Sequence, residues 1–195
     1  MNLVSEMPQD IGWIQTYTGG RFYPLNPKPS DVKIEDIAHA LSLNNRFTGH
    51  AIRGYSVGEH SLLVTKILMD THEDPTLWLW GLLHDASEAY ISDIARPVKQ
   101  QPEFQFYRDM EANVMVAIMT AFGLPGPEPR AVKAADTMAL AIEAETLMPR
   151  REKDQWAWLP EIPPQYRHLT LGQDPVDIET QFLLAFDGLQ KARNV

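Results

Sequence analysis

The chain has 195 residues, with 17 Lys and Arg against 26 Asp and Glu, a formal net charge of −9, and no cysteine. The missing cysteine excludes a disulfide framework, a thiolate zinc site, iron–sulfur ligation and a cysteine nucleophile. Any metal must therefore be held by His and carboxylates, which suit Zn, Mn, Fe, Co, Ni or Mg. The acidic excess disfavours a nucleic-acid polymer or an anionic membrane as partner, but a small anion could still bind at a local site.

The length predicts a single domain over residues 1–195 that is long enough to bury a core. The 44% hydrophobic and 22% charged residues are typical of a soluble globular protein. The first ten residues have no basic region followed by an apolar one, so we expect no secretory signal and a cytoplasmic location. The longest strongly apolar stretch, residues 77–83, is too short to span a bilayer.

Residues 1–30 are predicted to form an irregular arm, whose aromatic side chains between glycines and prolines favour packing on the body of the protein. Hydrophobic spacing and capping signals then predict about six helices, with no alternating strand and no repeat. In chain order they cover residues 34–41, a segment opening at Ser56, 76–90, 102–122, 130–148 and a segment opening at Asp174. Residues 93–99 are predicted to turn and 149–173 to form a long loop with prolines and tryptophans. The predicted class is all-α, a compact helical bundle.

Two histidines and two aspartates stand out among apolar neighbours. His84 and Asp85 lie in a run that we predict to be a buried helix, where an unused His–Asp pair would be costly. His60 lies in the first turn of the helix before it, and Asp136 interrupts an Ala-rich helix. Because helical bundles build metal sites from inward side chains of facing helices, we predict one divalent cation held by these four residues. Glu88, one turn beyond His84, projects toward the same region.

The pattern His60 … His84-Asp85 … Asp136 resembles the HD-domain metal-dependent phosphohydrolase superfamily. The segments Ser-Val-Gly-Glu-His-Ser-Leu at 56–62 and Leu-His-Asp-Ala-Ser-Glu at 83–88, followed by Asp93 and Pro-Val-Lys at 97–99, are more specifically similar to its 5′-deoxynucleotidase branch. That branch also carries an Arg–aromatic pair upstream of the first His. The resemblance covers residues 34–148 and implies a compact HD-domain bundle.

The resemblance also implies roles for individual residues. Glu88 would act as general acid/base or orient the attacking water, and Asp93 would position that water or the leaving group. Such a carboxyl near other carboxylates has its pKa raised by like charge and burial, which suits proton transfer.

The substrate would meet the Arg–aromatic pair, here Arg46-Phe47. Arg46 would contact the phosphate, because a guanidinium fork matches phosphate geometry. The branch usually has Trp after this Arg. Phe47 keeps the flat apolar surface but lacks the indole N–H donor, so the sequence does not predict a strict preference for deoxyribose over ribose. Lys99 and Arg96 are further candidates for a positive patch that admits a nucleotide.

The function favoured by these residues is metal-dependent hydrolysis of (deoxy)nucleoside 5′-monophosphates to nucleoside and phosphate by a metal-activated water. One alternative is a dNTP triphosphohydrolase, for example on dATP as in phage-type enzymes of this size, releasing triphosphate. An alternative of another class is a non-catalytic helical binding module with a structural metal. The expected partner is a small-molecule nucleotide, and because relatives commonly self-associate we expect a homo-oligomer, dimer or higher.

Overall fold

The computed structural model describes residues 12–149 and 156–193, and most of these are helical. The helices are α1 Ile34–Leu43, α2 Val57–Thr71, α3 Pro75–Leu83, α4 Glu88–Ile91, α5 Arg96–Lys99, α6 Gln105–Phe122, α7 Arg130–Leu147 and α8 Pro175–Arg193. The predicted all-α bundle is thereby confirmed. Residues 1–11 of the predicted arm and 150–155 of the predicted loop lie outside the described residues.

Helix α2 occupies the centre of the bundle and packs against α1, α3, α7 and α8. Helix α3 is apolar on nearly every face, as expected for a helix enclosed by others. The two helices approach closely at Gly81, where a Cβ atom would lie 2.5 Å from Leu68 Cδ1 and 3.3 Å from Thr65 Cα. This close approach brings the C-terminal end of α3 beside the buried face of α2. Within the described residues, no helix combines the length and apolar character needed to cross a membrane.

The N-terminus of α2 contains half of a capping box, in which an N-cap Ser bonds the N3 amide and an N3 Glu bonds back to the N-cap amide. The side chain of Ser56 accepts a hydrogen bond from the Glu59 amide at 3.1 Å. The buried Glu59 carboxylate accepts instead from the amides of Gly172 and Gln173, at 2.9 and 3.1 Å. These bonds tie the segment before α8 to the start of α2.

The predicted helix over residues 76–90 is wrong in its second half. Helix α3 ends at Leu83, residues 84–87 form a turn, and α4 begins at Glu88. The ring Nδ1 of His84 donates to the Gly81 carbonyl at 2.8 Å, and this is the acceptor that the Asp85 amide would use in a continuing helix. The turn therefore arises from the side chain of His84 itself.

Two short elements were also not predicted. Pro97 lies in the first turn of α5, where the missing N–H of proline costs no helical bond, so residues 96–99 form a helical turn within the predicted loop 93–99. In the arm, β1 Ile14–Gln15 pairs antiparallel with β2 Arg21–Phe22, in strands too short to show alternation. Phe22 is fully buried and stacks on Tyr90 with ring centroids 3.8 Å apart, so the described part of the arm packs on the body as predicted.

Candidate metal centre

Three potential metal ligands converge where α2 meets the turn after α3. The Nε2 atoms of His60 and His84 are 3.2 Å apart. Asp85 Oδ2 lies 3.3 Å from His84 Nε2 and 3.7 Å from His60 Nε2. The three donor atoms thus lie within 4.8 Å of one another, and two imidazole nitrogens with one carboxylate oxygen could hold a divalent metal ion.

Asp136 of α7 reaches the same place. Its Oδ1 atom lies 3.4 Å from His60 Nε2, while Oδ2 accepts from Lys133 Nζ at 2.5 Å. Of the four residues predicted as ligands, His60, His84 and Asp85 form one group, and Asp136 contacts this group at His60. Lys133 is an additional cation at the edge of this group.

The two imidazole rings are oriented by hydrogen bonds at their other nitrogens. His60 Nδ1 donates to Glu143 Oε1 at 2.5 Å, and His84 Nδ1 donates to the Gly81 carbonyl. A metal-bound histidine characteristically donates its second N–H to a carboxylate or carbonyl in this way. Rings held in this way direct their Nε2 atoms into the shared space, and an imidazole Nε2 binds a metal in its unprotonated form.

The electrostatics of the group favour a bound positive charge. Burial alone would lower the pKa of His84, but Asp85, Asp136 and the Gly81 carbonyl outweigh it and raise the pKa to about 9. Burial would raise the pKa of Asp85 and Asp136, but the neighbouring histidines and cations hold both well below the usual range. Two ionised carboxylates therefore face the histidines, and at neutral pH His84 binds a proton between them.

The sequence did not point to Glu143, a carboxylate that is fully buried in α7. Besides His60, it accepts from the Tyr55 hydroxyl at 3.0 Å and from Arg46 Nη2 at 3.2 Å. Burial opposes its ionisation, yet Arg46 and His60 lower its pKa. One signal was available, because Glu143 follows Asp136 by seven residues, or two helical turns, and so lies on the same face of α7.

Arg46 lies against the carboxylates of the centre. Its Nη1 atom is 3.5 Å from Asp85 Oδ2, and its Nε atom is buried without a hydrogen-bond partner among the described residues. Burial would lower the pKa of Arg46, but Glu143 and Asp85 raise it. The guanidinium also lies 5.7 Å from the centroid of the Phe47 ring.

The backbone after Arg46 is strained. Phe47 and Thr48 have φ of 55° and 53°, a left-handed conformation that side chains with a Cβ rarely adopt, and Gly49 continues it at 76°. Strain of this kind is retained where the surrounding structure requires it, often at functional sites.

Glu88 and Asp93 border the centre from α4 and the segment after it. Glu88 is 6% exposed, and its Oε2 atom has no hydrogen-bond partner within the described part of the chain. Burial, together with the charges of Asp85 and Asp93, raises the pKa of Glu88 to about 9, so its carboxyl is protonated at neutral pH. Asp93 is partly buried, and burial is also the main cause of its raised pKa.

The two cations predicted for a substrate patch differ in position. Lys99 forms an ion pair with Glu111 at 2.6 Å. Burial opposes the charge on Lys99, but Glu111, Glu88 and Asp85 raise its pKa. Arg96 is exposed on α5, and no described contact joins it to the four potential ligands. Its part in substrate binding stays a prediction.

No family model matches this sequence. The chain is similar to an uncharacterized protein of Rhodobacter capsulatus, with 38% identity over 145 residues that cover 69% of this chain and 72% of that protein. It is also similar to the uncharacterized protein YfdR of Escherichia coli, with 35% identity over 138 residues that cover 70% of this chain and 73% of that protein.

Proposed function

We propose that this chain, which belongs to the same protein family as the Rhodobacter capsulatus and Escherichia coli relatives, is a metal-dependent phosphohydrolase. The favoured reaction is hydrolysis of (deoxy)nucleoside 5′-monophosphates to nucleoside and phosphate. The observation that carries this proposal is the convergence of His60, His84 and Asp85 beside the buried guanidinium of Arg46. The nucleotide as substrate class comes from the resemblance of these residues to the 5′-deoxynucleotidase branch.

His60, His84 and Asp85, joined by Asp136, would hold the divalent cation. Nitrogen and carboxylate donors suit Zn, Mn, Fe, Co or Ni, and Mg remains an option for a carboxylate-rich site. When bound, such a cation supplies a Lewis acid for phosphate oxygens and lowers the pKa of a bound water. Glu143 and the Gly81 carbonyl keep the two imidazoles in the ligating tautomer.

Glu88 is the residue best suited to move a proton in this site. Its carboxyl is buried, one oxygen lacks a partner, and its pKa of about 9 leaves it protonated at neutral pH. A carboxylic acid in this state can donate a proton to a leaving nucleoside oxygen. Asp93, which shares the same electrostatic environment, would hold the neighbouring water or leaving group.

Arg46 would orient the phosphate. Two of its nitrogens contact Asp85 and Glu143, which fixes the plane of the guanidinium. A phosphate oxygen would accept from this oriented guanidinium. The flat ring of Phe47 beside this group would border the sugar or base.

The test is a panel of NMPs, dNMPs and dNTPs assayed with Co, Mn, Zn and Mg, in which release of phosphate and release of triphosphate are measured separately. We expect metal-stimulated release of phosphate from monophosphates. Triphosphate released from dNTPs alone would support the triphosphohydrolase instead. If no nucleotide gave metal-stimulated release, a binding module with a structural metal would replace the enzyme.

The matched variants are Glu88→Gln and Glu103→Gln. Because Glu88→Gln removes the proton donor and keeps its shape, it should lower kcat by about 10²–10⁴-fold and leave metal binding intact. Glu103 is exposed on a turn before α6, so its substitution should not change turnover. Unchanged turnover in Glu88→Gln would remove Glu88 from the mechanism. The expected homo-oligomer stays a prediction.

A further inference from the structure

Ser92 joins α4 to the segment that begins with Asp93, and its backbone is strained. Its φ is 69° and its ψ is 158°, a combination that is almost confined to glycine. A residue that follows a helix often has a positive φ, but in the left-handed helical region, where ψ is about 47°. The end of α4 therefore does not by itself account for the conformation of Ser92. Strain of this kind is retained only where the surrounding structure imposes it.

One hydroxyl contacts both peptide groups that flank Ser92. The Tyr107 hydroxyl donates to the Ser92 carbonyl at 2.8 Å and lies 3.3 Å from the Ile91 carbonyl oxygen. These two carbonyls belong to the planar peptide groups after and before Ser92, and the φ and ψ of Ser92 are the rotations between those two planes. Burial and nearby carboxylates raise the pKa of Tyr107, so its hydroxyl remains a donor. A hydroxyl in this position therefore stabilises the conformation in which Ser92 is found.

The Tyr107 side chain is itself held by its surroundings in α6. It lies in the first turn of this helix, and its half-buried ring packs edge-on against Phe104 with centroids 6.5 Å apart. Its neighbour Arg108 donates from Nη1 to the carbonyls of Lys99 and Gln101. The first half of α6 thus holds the connection from α4 at both of its ends.

Asp93 follows Ser92 directly and borders the metal centre. Its partly buried carboxyl lies near enough to Asp85 and Glu88 for their charges to interact. The Ser92 carbonyl that Tyr107 binds belongs to the peptide group that leads into Asp93. Because of this connection, a rotation at Ser92 would move the Asp93 carboxyl away from the centre.

We propose that Tyr107 is a positioning residue, which holds Ser92 in its strained conformation and thereby keeps the Asp93 carboxyl at the metal centre. A serine held by a hydrogen bond gives a stiffer connection than glycine, which would adopt the same conformation freely but also many others. The role of Asp93 in turnover rests on the proposed function, whereas the hold of Tyr107 on Ser92 does not depend on any activity. Two experiments therefore test these two steps separately.

The first experiment measures hydrogen exchange of the Ser92 amide by NMR, in the full chain with EDTA present. This amide donates to the Glu88 carbonyl at 2.9 Å. Tyr107→Phe removes one neutral hydrogen bond beside it and should speed its exchange about two- to tenfold. Tyr166→Phe is the matched control, because its hydroxyl bonds Asp70 in the last turn of α2, and it should leave this exchange unchanged. The same exchange rate in Tyr107→Phe and the wild type would overturn the proposal.

The second experiment measures steady-state hydrolysis with the substrate and metal that the nucleotide panel identifies. Tyr107→Phe should lower kcat about 10–100-fold and leave KM unchanged, because a displaced Asp93 carboxyl affects the transition state rather than substrate binding. In an Asp93→Asn background, Tyr107→Phe should cause no further loss of kcat, since its hydroxyl acts through Asp93.

Two kinetic results would refute the positioning role: the same loss of kcat in both backgrounds, or a wild-type kcat in Tyr107→Phe. If the wild type hydrolysed no nucleotide, the proposed function would be refuted, and the exchange experiment would still decide whether Tyr107 holds Ser92.

Discussion

Replacing Glu143 by Gln tests whether one buried carboxylate organises the metal centre. The change keeps the shape but removes the charge that pairs with Arg46 at 3.2 Å and with His60 at 2.5 Å. Loss of one partner from a buried ion pair costs about 3–5 kcal/mol when the other charge is left alone. Here Asp85 remains 3.5 Å from Arg46 and the amide oxygen still accepts one bond, so the cost falls at the lower end. We expect the free energy of unfolding to drop by about 3 kcal/mol.

The same substitution should weaken metal binding by about 10–100-fold, because His60 loses the acceptor that fixes its tautomer. Urea denaturation with EDTA gives the stability, and titration with Zn²⁺ or Co²⁺ at a temperature where the variant is folded gives the affinity. Glu179→Gln is the control, since it removes a second His–Glu pair, with His39, that is partly exposed and remote from the centre. Metal affinity within about twofold of wild type in Glu143→Gln would refute the orienting role, whatever the loss of stability.

Three further predictions concern the surroundings of the centre. Gly81→Ala should lower the free energy of unfolding by about 1–3 kcal/mol and weaken metal binding, because its Cβ would press α3 away from α2 and separate the two histidines. Urea denaturation and metal titration measure the two effects, and wild-type stability and metal affinity in this variant would contradict the prediction. Burial keeps Glu88 protonated in the folded chain up to a pKa of about 9, whereas an unfolded Glu ionises at its lower, ordinary pKa. Between the unfolded and the folded pKa of Glu88, unfolding therefore releases a proton, so the free energy of unfolding falls as pH rises. Measured with EDTA present, this fall should be shallower in Glu88→Gln than in the wild type. If the free energy of unfolding had the same pH dependence in both proteins, Glu88 would be ionised in the folded chain. Thr48→Gly should raise the free energy of unfolding by about 1 kcal/mol, because glycine adopts the left-handed backbone without strain. The control Thr120→Gly, in the middle of α6, should lower the free energy of unfolding by a similar amount. If both variants were less stable than the wild type, Thr48 would be unstrained.

The sequence predicts the helices that carry the centre because their ends have local signals. Ser56 accepts from the Glu59 amide and Asp74 from the Thr76 amide, so the starts of α2 and α3 could be predicted within a few residues. The potential ligands could be predicted as well, since a histidine or aspartate among apolar neighbours is costly unless it is used. These features depend on residues that are close in sequence.

The features that escaped prediction depend on contacts between distant or specific side chains. Glu143 acquires its role from His60, 83 positions away. The end of α3 depends on a bond from the His84 ring to the Gly81 carbonyl, and helix propensity contains no information on such a bond. The turn contains two of the potential ligands, and Asp85 Oδ2 lies 3.3 Å from His84 Nε2 there.

The charge balance of the centre explains how an acidic chain could admit an anionic substrate. Three carboxylates with lowered pKa values face two cations, and these residues are Asp85, Asp136, Glu143, Arg46 and Lys133. The pKa of His84 is raised to about 9, so this ring adds a proton to the group at pH 7. A divalent cation held by His84 would replace that proton and would thereby make the group more positive by one charge. In a chain with a formal charge of −9, binding of a phosphate next to Arg46 should therefore depend on prior binding of the metal.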